Sequence, residues 1–341
     1  MTGATGSIGP ATVRALLDAG AAVRVFGRLD SVRDHPDRWP GWLPRVELAS
    51  GDVTQPATIG AAMPGIDVVV HLAAFLHVVN PPPGHERRYR EVNVEGTRHV
   101  AEAAAASGAR RLVLASTTAV YGPTGGQAAS EDTAPAPDSW YAESKLEAER
   151  VARAVGRQTG LEIVILRLSA VYGPRVRGNY RRLLRAMARG RFVSIGHGRN
   201  RRSLIADIDA ARAFELAARH RDAAGHIFNV ADGPAHTIDE ILGAMAAAVG
   251  RRPPRWHLPA SLARVAAAAG DVAGGVIGQR PGLRPSVEKY LEESSVDASR
   301  IGEVLGFRPE LDLAAGWRMT AESLRATGEL PPLAGPALAR T

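Results

Sequence analysis

Thr2-Gly3-Ala4-Thr5-Gly6-Ser7-Ile8-Gly9 leads directly into residues 10–19, where Val13, Leu16 and Leu17 recur at helical spacing and Gly20 ends the pattern. Glycines three apart permit a tight turn, close approach of backbone N–H groups to a pyrophosphate, and close packing of a helix against a strand. Such a turn is a weak signal alone, so its surroundings decide. Residues 21–26 read as a strand, and the alternation continues with a strand at 45–49, a helix at 54–63 and an apolar run at 67–72. A long helix is predicted over 86–107, a strand over 111–115, a helix over 139–158 and a strand rich in Ile, Val and Leu over 161–168. Strands alternating with helices predict an α/β fold with a doubly wound parallel sheet.

Beyond about residue 173 the regularity weakens. Short helices at 180–189, 207–220 and 238–249 are separated by brief strands at 192–195 and 227–230. The expected organisation is a dinucleotide-binding domain over 1–173 and a smaller substrate-binding region over 174–330, with some segments returning to the first core. Pro81-Pro82-Pro83 fits neither a helix interior nor a central strand, so residues 79–85 are expected to form a loop.

Composition narrows the chemistry. The chain has 341 residues, 45% hydrophobic and 23% charged, which suits a folded globular protein and argues against disorder or a fibrous repeat. It contains no cysteine, which removes disulfides, thiolate metal sites and cysteine nucleophiles. The net charge of +7 invites a nucleic-acid reading, but the basic residues are scattered arginines with few aromatics between them, and only Lys145 and Lys289 are lysines. No nucleic-acid partner and no metal are expected; His71 has no ligand cluster beside it in the sequence and reads as a packed strand-end residue. No membrane span or leader is visible, so a cytoplasmic protein acting on a small molecule, as a homodimer, is expected.

The glycine turn resembles the nucleotide loop of extended short-chain dehydrogenase/reductases, the family of sugar-nucleotide epimerases, dehydratases and 3β-hydroxysteroid dehydrogenases. Further motifs agree in order. Gly51-Asp52-Val53 resembles the family's adenine-contacting turn, His71-Leu72-Ala73-Ala74 its cofactor-lining strand end, and Asn93-Val94-Glu95-Gly96-Thr97 its long-helix asparagine motif. Ser116 to Gly122 is similar to the active-site strand end, Tyr141-Ala142-Glu143-Ser144-Lys145 to the YxxxK pair, and Val171-Tyr172-Gly173-Pro174 to the segment that closes over nicotinamide. The resemblance spans nearly the whole chain and implies a Rossmann-like sheet. It implies catalytic roles for Thr117, Tyr141, Lys145 and Asn93. It places the cofactor against Gly3, Thr5, Gly6, Ser7, Ile8, Gly9, Arg28, Asp52, Val53, Leu72, Ala73, Ala74, Tyr141, Lys145 and Val171.

The residues carry their own argument. Tyr141 and Lys145, four apart on a helix, face the same way, so an ammonium near the phenol is expected to favour its ionised form. Thr117 stands at the carboxyl end of its strand, where such sheets bind ligands, and its hydroxyl is placed to hold a substrate oxygen. Asn93 shares a mostly apolar helix face with Tyr89, Gly96 and Val100, so it must find hydrogen-bond partners there; the family resemblance implies that it orders a proton-relay water, and bracing of helix to loop is the alternative. The second strand ends in Gly27-Arg28 where NAD-preferring relatives carry an acid, which favours NADP over NAD.

The expected activity is Tyr-Lys-assisted, NAD(P)-dependent oxidation and reduction at a secondary hydroxyl or ketone. The Pro259 to Leu291 region points to the 3β-hydroxysteroid dehydrogenase or dihydroflavonol reductase side of the family. A sugar-nucleotide epimerase is the alternative, and a non-catalytic NADP-binding regulator is the alternative of another class. Arg202 matches the phosphate-binding arginine of the sugar-nucleotide enzymes, although Ala206 stands where those usually carry His; Thr118-Ala119 replaces the Asp-Glu pair of the 4,6-dehydratases. Met1 immediately precedes Thr2, so the family's first strand is expected to be missing or truncated, with a natural start upstream.

Overall fold

The computed structural model describes residues 1–29, 41–78, 81–82, 84–175, 178–254, 256–276 and 282–333. The strands are β1 Arg24–Gly27, β2 Glu47–Ser50, β3 Val68–His71, β4 Arg111–Thr117, β5 Glu162–Leu168, β6 Ala170–Tyr172, β7 Ser194–Ile195, β8 Arg201–Arg202, β9 Leu204–Ala206, β10 Ile227–Val230, β11 His236–Thr237 and β12 His257–Leu258. The helices are α1 Gly9–Asp18, α2 Pro56–Ala62, α3 His85–Tyr89, α4 Gly96–Ala106, α5 Trp140–Thr159, α6 Asn179–Ala188, α7 Asp207–Arg219, α8 Ile238–Ala248, α9 Ala260–Val276, α10 Leu283–Leu291, α11 Ser299–Leu305 and α12 Leu313–Ala326. Part of the expected proline loop, residues 79, 80 and 83, lies outside the described residues.

Two parallel ribbons, β1 with β2 and β10-β5-β4-β3, are joined at one residue. Thr2 bridges Phe26 on one side and His71 on the other, both in parallel. Thr2 N donates to Val70 O at 3.0 Å, Leu72 N donates to Thr2 O at 3.3 Å, and Phe26 N donates to Met1 O at 2.8 Å. Met1 and Thr2 thus stand where the first strand was expected to be missing or truncated: a two-residue stub holds the centre of the order β2-β1-stub-β3-β4-β5-β10. That is the doubly wound order, and it places the switch point, with its crevice at the strands' carboxyl ends, at the glycine turn.

The middle strands are buried on both faces, which is why they are apolar without alternation. Val70, Val113, Val164 and Leu166 face a layer made by Val13, Leu16 and Leu17 of α1 and Ala213, Phe214 and Ala217 of α7. Their sequence neighbours Val69, Leu112, Leu114, Ile163 and Ile165 face Val100, Ala101 and Ala104 of α4 and Ala152 and Val155 of α5. At about 1.5–3 kcal/mol for each fully buried aliphatic side chain, these two layers dominate the stability of the sheet.

The long helix predicted over 86–107 is present and runs through α3 and α4, with a π-bulge at Arg90–Glu95 between them. Within it Thr97 Oγ1 donates to Asn93 O at 2.6 Å. Beyond residue 173 the chain does not form a wholly separate region, because α7 and β10 complete the sheet layer. The smaller core lies between α6, α8 and α12, where Leu184, Met187, Ile241, Met245 and Leu324 pack around Trp317. Tyr172 stacks on Trp317 with centroids 4.5 Å apart. Among the described residues no helix is long and apolar enough to cross a membrane.

Candidate active site

The glycine turn is pressed onto the end of β3. Gly3 has φ +72°, and a Cβ there would lie 2.6 Å from both Ala73 N and Leu72 C, so only glycine fits. Gly6 N donates to Gly3 O at 2.9 Å, closing the turn. Gly9 does not line the cleft, although it was expected to hold cofactor; its role is packing, since a Cβ there would meet Ala4 O at 2.3 Å and lift α1 off the loop. Thr5, Gly6, Ser7 and Ile8 do line the cleft, as do Leu72, Ala73, Ala74 and Val171.

A hydrogen-bonded chain runs behind this loop. Thr2 Oγ1 contacts His71 Nδ1 at 2.7 Å, and His71 Nε2 contacts Thr97 Oγ1 at 3.2 Å. Because the Thr97 hydroxyl already donates to Asn93 O, it accepts from His71, which fixes the proton on Nε2 and makes Nδ1 the acceptor. Burial lowers the His71 pKa to about 3, with Lys145 adding to the effect, so the imidazole is neutral. It is the packed strand-end residue anticipated. Among the described residues no group of three His, Asp or Glu side chains is placed to hold a metal.

Asn93 is buried, and its side chain is committed to the protein. Its Oδ1 accepts from Phe75 N at 2.7 Å, while Nδ2 donates to Phe75 O at 3.1 Å and to Ser144 Oγ at 2.9 Å. Bracing between helix and loop therefore accounts for it, and it does not line the cleft.

At the far end, β4 delivers Thr117 and the first turn of α5 delivers Tyr141. Ser139 caps that helix by accepting from Ala142 N, which places Tyr141 and Lys145 one turn apart and both in the cleft. The Thr117 hydroxyl, which accepts from Ala119 N at 3.2 Å, acts to lower the Tyr141 phenol, but burial outweighs it and pushes the phenol up to about 12. Lys145 is only 3% exposed, and burial lowers its ammonium to about 8 against the opposing pull of Glu149. Spacing places Lys145 in the cleft with Tyr141, and in the protein alone burial is the largest influence on the phenol.

Sequence reasoning missed the buried ionic floor beneath these groups. Arg167 donates to Glu149 from Nε at 3.0 Å and from NH2 at 2.7 Å, and from NH1 to Tyr121 OH at 2.9 Å. Ser116 donates to the same carboxylate, and Tyr121 donates onward to Asn229 Oδ1 at 2.8 Å. A signal was available: Arg167 interrupts an apolar strand, and a buried arginine must have a partner. Arg202, singled out for a phosphate, instead donates to the carbonyls of Lys289 and Glu292 and does not line the cleft.

The cleft has a volume of about 1700 Å³ and runs from Arg28 and Asp52 to Tyr141. Arg28 is 75% exposed, with Nε 3.9 Å from Asp52 Oδ2. Asp52 Oδ1 accepts from the Thr54 backbone and hydroxyl, both at 2.9 Å, which shapes the turn into α2 beside Val53. Phe75, His77, Arg88, Ser169 and Arg182 also line the cleft and carry no family motif. The residues present fit a dinucleotide: the glycine turn from Gly3 to Ile8 lines the cleft, and the buried Ser169 Oγ, which lines it as well, has no protein partner.

The family model for NAD dependent epimerase/dehydratase proteins matches residues 1–231. The chain belongs to that family. It is thereby an enzyme of the extended short-chain dehydrogenase/reductase group. A UDP-glucose 4-epimerase of Vibrio cholerae is 30% identical over 329 residues, covering 95% of this chain and 94% of its own. MoeE5, solved in complex with UDP-glucose and NAD, is 30% identical with a TM-score of 0.73, covering 96% and 98%. The UDP-glucose 4-epimerase of Thermus thermophilus, solved with NAD, is 28% identical with a TM-score of 0.73, covering 95% and 97%.

Proposed function

We propose that this family member is a sugar-nucleotide epimerase, acting at a secondary hydroxyl of a nucleotide-linked sugar. The observation that carries this is the meeting of Thr117, Tyr141 and Lys145 in the same cleft as the glycine turn. The similarity to UDP-glucose 4-epimerases over nearly their whole length supports the sugar nucleotide over a sterol. The 3β-hydroxysteroid dehydrogenase-like reading rested on α9 and α10; of these, only Ser286 lines the cleft among the described residues, while Ala263 and Ala267 serve as packing.

A bound nicotinamide supplies the hydride acceptor and donor and brings positive charge toward the phenol. Thr117 holds the substrate oxygen beside Tyr141. With cofactor bound, Tyr141 would act from its phenolate form: its oxygen takes the hydroxyl proton to become a neutral phenol and gives it back when the hydroxyl is restored, so the phenolate is regenerated. Lys145, buried one turn along, would hold the ribose of a bound cofactor, and Asn93 keeps the Phe75 loop against α5. In cofactor choice, the exposed Arg28 guanidinium supports NADP through a ribose 2′-phosphate contact, whereas the solved relatives hold NAD. Measured affinities for the two dinucleotides decide this, and equal or tighter NAD binding returns Arg28 to a solvated role. A homodimer is the proposed assembly; light scattering is expected to give twice the mass of the chain, and the mass of one chain overturns it.

The test is to incubate the cofactor-loaded protein with UDP-glucose and follow the C4 epimer by NMR, with absorbance at 340 nm recorded in parallel. Epimer without accumulating reduced cofactor is expected. Net reduction of cofactor with a sterol and none with UDP-sugars would restore the dehydrogenase reading.

A further inference from the structure

The rim loop after β3 is pinned on both sides of a single residue. Asn93 holds Phe75 through its backbone N–H and carbonyl. Tyr89 OH donates to Leu76 O at 3.1 Å and accepts from Val78 N at 3.0 Å. The Phe75 ring packs 4.9 Å from that of Tyr89, with the Arg88 guanidinium 5.0 Å from its centroid. Between these anchors stands His77, whose position is therefore set by buried side chains behind the loop.

His77 differs from the packed His71 in every respect. It is exposed, it lines the cleft, and its imidazole makes no hydrogen bond among the described residues. Its ring centroid lies 5.8 Å from that of Tyr141. Lys289, Asp138 and Glu292 are the charged groups that act on it, and Ser286 of α10 lines the same cleft. An imidazole carried on a pinned backbone beside the reactive phenol, with no hydrogen-bond partner among the described residues, has room for ligand polar groups, and hydrogen bonds of about 2.8 Å from both rings reach neighbouring hydroxyls of one sugar.

We infer that His77 is a specificity-determining residue that hydrogen-bonds a sugar hydroxyl adjacent to the one held by Tyr141 and Thr117. This rests on the sugar-nucleotide reading above. It assigns discrimination between sugars to a loop position outside every motif of the chain, and nucleotide binding to other parts of the cleft.

Cofactor-loaded wild type, His77→Ala and His77→Asn are titrated calorimetrically with UDP-glucose and with UDP. The expected result is that His77→Ala weakens UDP-glucose by about 2- to 10-fold, the range of one neutral hydrogen bond, and leaves UDP unchanged. His77→Asn recovers part of the loss, because its amide offers a donor and an acceptor on a shorter stem. Unchanged UDP-glucose affinity in His77→Ala overturns the inference, and so does an equal loss for UDP, which marks a collapsed loop. Wild type that binds neither ligand overturns the sugar-nucleotide reading itself, and the inference with it.

Discussion

Replacing Arg167 with methionine keeps most of the side-chain length and removes the charge from the buried floor of the active site. Arg167 and Glu149 have side chains only 4% and 3% exposed, so their attraction is little screened and neither has water to fall back on. The substitution deletes two bonds to the carboxylate, one to Tyr121, and the stacking of the guanidinium 4.9 Å from the Tyr121 centroid. Glu149 is left with Ser116 and with Lys145 one turn away. Breaking a buried pair from one side costs about 3–5 kcal/mol, because the remaining charge is stranded, and total stabilities are about 5–15 kcal/mol. Arg167→Met is therefore expected to lower the guanidinium midpoint steeply at unchanged m-value. The double variant Arg167→Met/Glu149→Leu is expected to lose much less than the sum of the singles, since it strands nothing. A single-variant loss below about 1 kcal/mol, or a double variant with additive losses, would refute the account of this pair as a mutual neutralisation.

Tyr141→Phe is expected to keep cofactor affinity and abolish nearly all turnover, because it removes only the proton-carrying oxygen; near-native kcat removes Tyr141 from the mechanism. Lys145 gives a pH signature with two opposite limbs. Its pKa is lowered from 10.5 to about 8, so the unfolded chain binds a proton that the folded one has lost between those values, and stability from this group rises with pH across that window. Cofactor affinity is expected to fall over the same window as the ammonium is lost, and a Lys145→Met variant that keeps the fall shows that another group is responsible. His71, lowered from 6.5 to about 3, is expected to make stability decline as pH drops through that interval, since only the unfolded imidazole takes up the proton. Thermal melts of wild type and His71→Asn across that interval read it, with the slope reduced in the variant. Arg28→Asp is expected to weaken NADP relative to NAD, by about 1.5–3 kcal/mol for a lost charge-assisted bond; an unchanged ratio measured by fluorescence titration removes Arg28 from cofactor selection.

The alternation of strands and helices, the glycine turn, and the spacing of Tyr141 and Lys145 were legible because each is local. Periodicity records which face of an element is buried, Gly3 records a backbone approach no other residue permits, and residues four apart on a helix must share a side. The π-bulge at Arg90–Glu95 was not legible, since one extra residue in a turn leaves the helical pattern of buried positions on either side of it in place. Spacing likewise placed Lys145 near the phenol but could not give the sign of the outcome. Desolvation depends on everything packed around a group, and here it raises Tyr141 to about 12 and lowers Lys145 to about 8. Only the tertiary structure joined Glu149 to Arg167, set Met1 and Thr2 between β1 and β3, and aimed His77 at the cleft beside Tyr141. Each of those joins residues distant in the chain, and the physical quantities that fix them, burial and the supply of hydrogen-bond partners, exist only once the elements have packed.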